Sequence, residues 1–312
     1  MSLSAIEPIS LRLFHHDPAA FADGLGASFA RHGFAAVADH GLDPERLEAA
    51  LDDAKALFAL PEPVKRRYHI VGGAGQRGYT PLRTETAKDA KQADLKEFWH
   101  VGRDLPPGHR FSGDMPDNVW PTEIPRFREN QTWLFGGLEH LGGIVLAAIA
   151  RYLSLDTKIL SDATAEGNSV LRLIHYPPTT GAGEGVRAGA HEDINAITLL
   201  LGAEEAGLEI LDRDGWWLAI NPPPGAVVVN IGDMLARLTN GVLPSTTHRV
   251  VNPIPERRGV ARYSTPFFLH FRPDFLIETL PGCVTPDRPD RYPTPILASD
   301  FLARRLREIK LA

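Results

Sequence analysis

The feature that most constrains the fold is the second half of the chain, which after Ser169 breaks into short apolar runs separated by glycine and proline. Asp214-Gly215 and the Pro-Pro-Pro-Gly segment at 222–225 are typical turns between neighbouring runs. Seven runs at such close spacing predict an all-β sandwich or barrel. The runs are 170–176, 196–201, 208–212, 216–221, 226–231, 246–251 and 260–271.

Helical periodicity dominates the rest of the chain. Asp17-Pro18 and Asp43-Pro44 are helix-start signals, each followed by an apolar stripe, and a long helix is predicted over 124–153. An arginine-rich helix is predicted at about 298–310, and the short run 34–38 predicts one strand. We therefore expect a mainly β fold with flanking helices and a helical N-terminal region.

The predicted domain organisation follows from this change of pattern. Residues 1–122 form a helical or mixed N-terminal domain, and residues 123–312 combine the long helix with a β domain whose core spans about 168–272. Residues 70–98 are rich in glycine and lack periodicity, which is typical of a functional loop.

The balance of charges argues against nucleic-acid and membrane-surface partners. The 312-residue chain has 33 Lys and Arg against 39 Asp and Glu, a net charge of −6, and no block of like charges. Both kinds of partner usually require a basic stripe. The longest apolar run, Leu141–Ala150, is shorter than the about 20 residues that a membrane span requires. Neither partner is expected.

Cysteine usage indicates the compartment. The single cysteine, Cys283, excludes an intramolecular disulfide and a zinc site built from several thiolates. The segment Met1–Leu13 lacks the basic and then long apolar pattern of a secretory signal. Both observations predict a cytoplasmic protein.

A candidate metal site is carried by His191, Asp193 and the distant His248. Alternate residues of a strand share a face, so His191 and Asp193 can both point into the mouth of a barrel. Two imidazoles and one carboxylate on one side of a metal leave other positions open, which suits non-heme Fe(II) and dioxygen. Short pairs of this kind also arise by chance, so a solvated loop pair is the alternative for His191 and Asp193 alone.

Arg262 and Ser264 form a second candidate pair, two residues apart on a predicted strand. An arginine directed inward between apolar neighbours needs an anionic partner, and a guanidinium beside a hydroxyl suits a carboxylate. An internal salt bridge is the alternative for Arg262. His175 and His270, also on predicted strands, are interpreted as histidines of the barrel wall rather than substrate contacts.

Taken in order, these residues and several others resemble the isopenicillin N synthase-like family of Fe(II) and 2-oxoglutarate-dependent oxygenases. The resemblance covers nearly the whole chain. In order, the matching segments are Gly33-Phe34, His40-Gly41, Phe58-Ala59-Leu60-Pro61 with Lys65, Gly78-Tyr79, 94–98, Tyr176-Pro177, His191-Glu192-Asp193, Asn230-Ile231-Gly232-Asp233-Met234, Thr239-Asn240-Gly241, Thr247-His248-Arg249-Val250 and Arg262-Tyr263-Ser264.

The resemblance implies a double-stranded β-helix, the cupin-like jelly roll, behind an N-terminal domain of the non-heme dioxygenase type. By similarity His191, Asp193 and His248 ligate Fe(II). The same similarity implies that the distal carboxylate of 2-oxoglutarate is bound by Arg262, Ser264 and Tyr176.

The implied reaction uses dioxygen to oxidise an unactivated C–H bond of a small-molecule substrate and releases succinate and carbon dioxide. Members of the family contact substrate near the glycine-rich loop, so Arg77, Tyr79 and Trp99 are candidate substrate contacts. The sequence identifies neither the substrate nor the oligomeric state, a monomer included.

Two alternatives stay open at this point. Many 2-oxoglutarate users of the family have an asparagine two positions before the residue equivalent to Tyr176, where this chain has Ile174. An oxidase of the same fold, which like isopenicillin N synthase or an ascorbate-dependent relative needs no 2-oxo acid, is therefore one alternative. A catalytically silent jelly roll that binds a metal or a carboxylate is the other.

Overall fold

The computed structural model describes residues 6–86, 92–178, 186–201, 207–221 and 223–308. Its strands are β1 (Pro8–Ser10), β2 (Phe34–Ala38), β3 (Gly78–Thr80), β4 (Glu97–Gly102), β5 (Val170–Tyr176), β6 (Ala188–His191), β7 (Ile197–Leu201), β8 (Leu208–Leu211), β9 (Trp217–Ala219), β10 (Val227–Ile231), β11 (His248–Val250), β12 (Arg262–Leu269), β13 (Leu276–Ile277) and β14 (Ile296–Leu297). All seven strands predicted for the second half are confirmed.

The helices surround these strands and follow the predicted start signals. Asp17 accepts a hydrogen bond from the Ala20 amide, and Asp43 accepts one from the Arg46 amide, as expected for helix N-caps. The helices are α1 (Arg12–His16), α2 (Pro18–His32), α3 (Pro44–Ala59), α4 (Glu62–Arg66), α5 (Phe127–Tyr152), α6 (Ile159–Thr164), α7 (Asp233–Leu238) and α8 (Ala298–Glu308).

Two facing sheets form the jelly-roll core. The main sheet has eight strands in the order β1-β2-β10-β7-β12-β5-β4-β3, and the minor sheet has four in the order β6-β11-β8-β9. Side chains from both sheets pack together in an apolar cluster that includes Phe34 and Val228 of the main sheet and Ile210 of the minor sheet. The predicted double-stranded β-helix with flanking helices is confirmed.

The outer face of the main sheet is covered by helices. Leu171 and Leu173 of β5 and Phe267 of β12 belong to the large core cluster that also includes the buried face of α5. Residues at the alternate positions of the same strands point between the sheets, because successive side chains of a strand face opposite ways. This alternation decides which residues can reach a site inside the barrel.

Helix α5 is long and apolar enough to cross a membrane. However, it contacts α2, α3 and strands of the main sheet, and 13 of its residues are buried. This is the burial of a core helix.

The predicted loop at 70–98 contains more regular structure than expected, because it includes β3 and the beginning of β4. Residues 87–91 of this segment lie outside the described residues. The N-terminal part of the chain supplies both edges of the main sheet, with β1 and β2 at one edge and β3 and β4 at the other. The division at residues 122 and 123 stays a prediction.

Candidate active site

Three predicted ligands meet where the minor sheet opens. His191 ends β6 and His248 begins β11, and the two residues face each other across the paired strands. Asp193 follows two residues after His191, and its Oδ1 atom lies 3.8 Å from Nε2 of each histidine. Donor atoms about 3 to 4 Å apart can share one ion whose bonds are about 2.1 Å long. The three ligand atoms lie within 4.8 Å of one another.

Backbone carbonyls fix the protonation of both imidazoles. Nδ1 of His191 lies 2.8 Å from the Gly189 oxygen, and Nδ1 of His248 lies 3.1 Å from the Thr246 oxygen. A carbonyl only accepts hydrogen bonds, so each Nδ1 carries the proton and each Nε2 has a free lone pair. Burial lowers the pKa of His191 to about 4, which keeps this ligand neutral at pH 7.

The two oxygens of Asp193 have different environments. Oδ2 accepts hydrogen bonds from Thr198 Oγ1 at 2.5 Å and from Asn230 Nδ2 at 2.8 Å, whereas Oδ1 faces the imidazoles. Burial alone would raise the pKa of Asp193, but the two histidines and these hydrogen bonds outweigh it and lower the pKa. The carboxylate is therefore ionised and presents one oxygen to a cation.

A cavity continues from the triad between the sheets. Arg262 and Ser264 of β12 and Tyr176 of β5 line it and are buried. Arg262 pairs with Tyr176 across the strands, and its guanidinium carbon lies 5.1 Å from the centre of the tyrosine ring. A metal at one end and a guanidinium with a hydroxyl at the other suit a short dicarboxylate.

Comparison with known proteins agrees with this chemistry. The 2OG-Fe(II) oxygenase superfamily matches residues 167–271, and the family described as non-haem dioxygenase in morphine synthesis N-terminal matches residues 6–123. A 2-oxoglutarate-Fe(II) type oxidoreductase of Emericella nidulans is 32% identical over 87% of this chain and 79% of its own length. The chain belongs to the 2OG-Fe(II) oxygenase superfamily.

Two solved structures share the whole fold. A 2OG-Fe(II) oxygenase family protein from Caulobacter crescentus is 62% identical with a TM-score of 0.92, covering 98% of this chain and 100% of that one. A full-length protein of Neurospora crassa, solved in complex with alpha-KG and thymine, is 27% identical with a TM-score of 0.86, covering 98% of both chains.

The protein is thus an Fe(II)- and 2-oxoglutarate-dependent oxygenase that uses dioxygen. The oxidase and silent-scaffold alternatives are not favoured, because relatives bind alpha-KG and a complete His-Asp-His set is present. Ile174 belongs to the apolar wall of the oxygenase's inner cavity, together with Leu200, Leu208 and Val250.

The structure does not bring Arg77, Tyr79 and Trp99 to the cavity beside the triad. All three are buried and none of them lines that cavity, and Tyr79 and Trp99, which pair across β3 and β4, belong to the large core cluster. Trp99 packs in the core against Phe127, and the Tyr79 hydroxyl donates to Glu97. The candidates were chosen because they lie in or next to the glycine-rich loop. Successive side chains of β4 face opposite ways, however, and His100 rather than Trp99 lines the cavity.

Several residues of the oxygenase site were not predicted. Thr198 and Asn230 donate hydrogen bonds to the Asp193 carboxylate. Each is a polar residue inside an otherwise apolar strand, and this is the sequence pattern that could have identified them. His270 and Arg172 line the cavity beside the triad, although His270 was interpreted as part of the barrel wall. Asp233 is the first residue of α7, and its amide donates to the Asp193 carbonyl at 2.7 Å.

Proposed function

We propose that His191, Asp193 and His248 are the iron ligands of this oxygenase. The observation that carries the proposal is the common direction of Nε2, Nε2 and Oδ1, each fixed by a hydrogen bond on the opposite side of its own side chain. Ligands held in this way need little reorganisation when a cation arrives.

Arg262 and Ser264 are proposed to bind the distal carboxylate of 2-oxoglutarate, with Tyr176 packed beneath the guanidinium. A buried guanidinium can donate two parallel hydrogen bonds to a carboxylate, and the hydroxyl can add a third. The apolar side chains of Ile174, Leu200, Leu208 and Val250 around them suit the methylene groups of the cosubstrate.

The iron, when bound with the cosubstrate and dioxygen, supplies the oxidising power that removes a hydrogen atom from substrate. The protein's contribution is geometric. His191 and His248 direct their Nε2 atoms inward, Asp193 supplies the single negative charge of the ligand set, and Arg262 fixes the end of the cosubstrate farthest from the metal.

The substrate is proposed to be a small molecule that binds in a cavity of about 340 Å³ beside the triad. Thymine, which the Neurospora crassa structure contains, is a rational first compound to test. We also propose that the enzyme works in the reducing cytoplasm, because its single cysteine, Cys283, is buried and free. Neither a nucleic acid nor a membrane is proposed as a partner.

An anaerobic titration tests the assignment. Fe(II) is added to metal-free protein, followed by 2-oxoglutarate, and the weak visible charge-transfer band of a chelated 2-oxo acid is recorded. We expect the band in the wild-type protein. Asp193→Ala should lose it through weaker iron binding, whereas Arg262→Leu should retain iron and require far more 2-oxoglutarate.

Two exposed residues provide matched controls: Asp214→Ala in a turn and Arg31→Leu at the end of α2 should leave the band unchanged. A band of full intensity in Asp193→Ala would refute the ligand assignment. An unchanged 2-oxoglutarate requirement in Arg262→Leu would mean that Arg262 faces the substrate instead.

A further inference from the structure

The cavity beside the triad is lined by more ionised groups than a binding site for an apolar molecule would need. Four of them lie together: Glu85, Asp94, Lys96 and Arg172. Each of these side chains is at most 13% exposed. We call this group the ionic cluster.

The ionic cluster is internally paired. Lys96 Nζ lies 2.8 Å from Asp94 Oδ2 and 3.2 Å from Glu85 Oε2, and Arg172 Nη1 lies 3.1 Å from the same Glu85 oxygen. Burial would raise the pKa of Glu85, but Arg172 and Lys96 outweigh it and lower the pKa. Two formal positive charges thus face two formal negative charges, and the formal charges of the ionic cluster sum to zero.

Arg172 is held rigidly in the wall of the cavity. Its guanidinium carbon lies 4.3 Å from the Phe98 ring centre and 5.0 Å from that of Phe268. Its Nε donates to His100 Nε2 at 2.5 Å, while His100 Nδ1 donates to the Gly75 carbonyl. With Nε and Nη1 engaged, Nη2 makes no hydrogen bond to another described residue and is a fixed donor.

His270 supplies an acceptor elsewhere on the cavity wall. Its Nδ1 lies 3.2 Å from the Phe268 carbonyl, so Nδ1 carries the proton and Nε2 can accept. Burial lowers the pKa of His270 to about 4, so the ring is neutral at pH 7. Nε2 has no hydrogen-bond partner within the described part of the chain.

The third cation at the cavity, Arg305 of α8, is also paired. It lies 2.9 Å from Asp233 and 2.8 Å from Glu308. Every Lys and Arg that lines the cavity among the described residues thus has a carboxylate partner. A carboxylate on the substrate would add an uncompensated buried charge, whereas a carbonyl oxygen would add none.

From this arrangement we infer that the enzyme's substrate is electroneutral, with a carbonyl-type oxygen bound by Arg172 and an N–H or O–H group bound by His270. The inference rests on the proposed function, because it assumes that the substrate occupies the cavity beside the iron ligands. It names amides, imides, lactams and similar heterocycles as the substrate class and excludes carboxylic acids.

Matched pairs of compounds test the charge preference. The anaerobic enzyme loaded with Fe(II) and 2-oxoglutarate is titrated calorimetrically with thymine or uracil-5-carboxylate, and with benzamide or benzoate. The neutral member of a pair should bind at least about tenfold more tightly, the difference expected when a charged group lacks its partner. Arg172→Gln should weaken binding of the neutral member.

Glu85→Gln and Asp94→Asn each leave one cation of the ionic cluster in excess. In both variants, the affinity for the acid member of each pair, relative to that for the neutral member, should rise by about tenfold or more. Glu209→Gln, which disturbs an Arg249 ion pair that is not part of the cavity wall, should leave the ratio unchanged.

Tighter binding of the acid members by the wild-type enzyme, or an unmoved ratio in both Glu85→Gln and Asp94→Asn, would overturn the inference. The visible band reports separately on the assignment of iron and cosubstrate. Its absence would refute the proposed function, and its presence with acid-selective binding would refute only the substrate class.

Discussion

At the scale of single residues, the carboxylate of Asp193 combines two tasks. One oxygen faces the imidazoles, and the other is fixed by Thr198 and Asn230 of two neighbouring main-sheet strands, β7 and β10. Without these donors the carboxylate could rotate, and its two oxygens would compete for the metal. Hydrogen bonds to a ligand of this kind commonly change metal affinity by about 10- to 100-fold.

Removing either donor should therefore weaken iron binding without unfolding the protein. We expect Thr198→Val and Asn230→Leu each to lower the affinity for Fe(II) by about tenfold, measured by anaerobic metal titration. Thr122→Val, an exposed position, is the control for loss of a threonine hydroxyl. Wild-type affinity in both test variants would show that Asp193 needs no help in orienting its oxygens.

Burial of His270 should make the stability of the metal-free protein depend on pH. The pKa is about 4 in the folded protein and about 6.5 in the unfolded chain. Between these values only the unfolded chain takes up the proton, so the free energy of unfolding falls as the pH decreases from 6.5 toward 4. Above pH 6.5 neither state takes up this proton, so the free energy of unfolding keeps its full value with respect to His270.

The prediction is measured by urea unfolding at pH 7 and pH 5. Between these two pH values the free energy of unfolding of the wild-type protein should fall by about 2 kcal/mol more than that of His270→Gln. The difference arises because the variant has no residue 270 imidazole to take up a proton on unfolding. His15→Gln, exposed on α1, should lose as much as the wild type. Equal losses in all three proteins would contradict the buried, neutral state of His270.

At the scale of elements, strands were easier to predict than the direction of their side chains. The seven runs after Ser169 are recognisable because β-branched and aromatic residues alternate with turn signals. Strand β6 has the sequence Ala-Gly-Ala-His and lacks such residues, so only the histidine indicated its role. Its strand conformation comes from pairing with β11, which is a long-range contact.

The sequence also does not show which side chains of β4 face the cavity. Every residue from Glu97 to Gly102 is buried, so no alternation of polar and apolar residues shows which face is which. The packing of Trp99 against α5 decides the phase, and it turns Lys96 and His100 to the cavity. The ionic cluster was therefore hidden from sequence reasoning, whereas the triad was not.

The Thr239-Asn240-Gly241 segment shows that a motif of the family can be purely structural. The Asn240 side chain donates to the carbonyls of Cys283 and Pro289 at 3.2 and 3.1 Å and accepts from the Arg291 amide at 3.0 Å. It therefore joins the turn after α7 to the segment that leads toward β14. The resemblance alone does not distinguish such a residue from one that touches cosubstrate.

At the scale of the whole molecule, the site joins the two sheets of the jelly roll. His191 and His248 belong to the minor sheet, whereas Arg262 and Ser264 belong to the main sheet. A metal and a cosubstrate bound between these residues add links that the empty protein lacks. Because ligands stabilise the state that binds them, the loaded protein should resist separation of the sheets.

Hydrogen exchange measures this effect element by element. Loading with Fe(II) and 2-oxoglutarate without oxygen should slow amide exchange in β6 and β11, where the imidazole ligands lie, by about 100-fold for each ligand that is present at about 100 times its dissociation constant. The small sheet of β13 and β14 contributes no proposed ligand and should change little. Asp193→Ala, treated identically, should show the exchange pattern of the metal-free protein. Uniform slowing that includes β13 and β14 would instead mean that the ligands stabilise the molecule globally rather than by joining its two sheets.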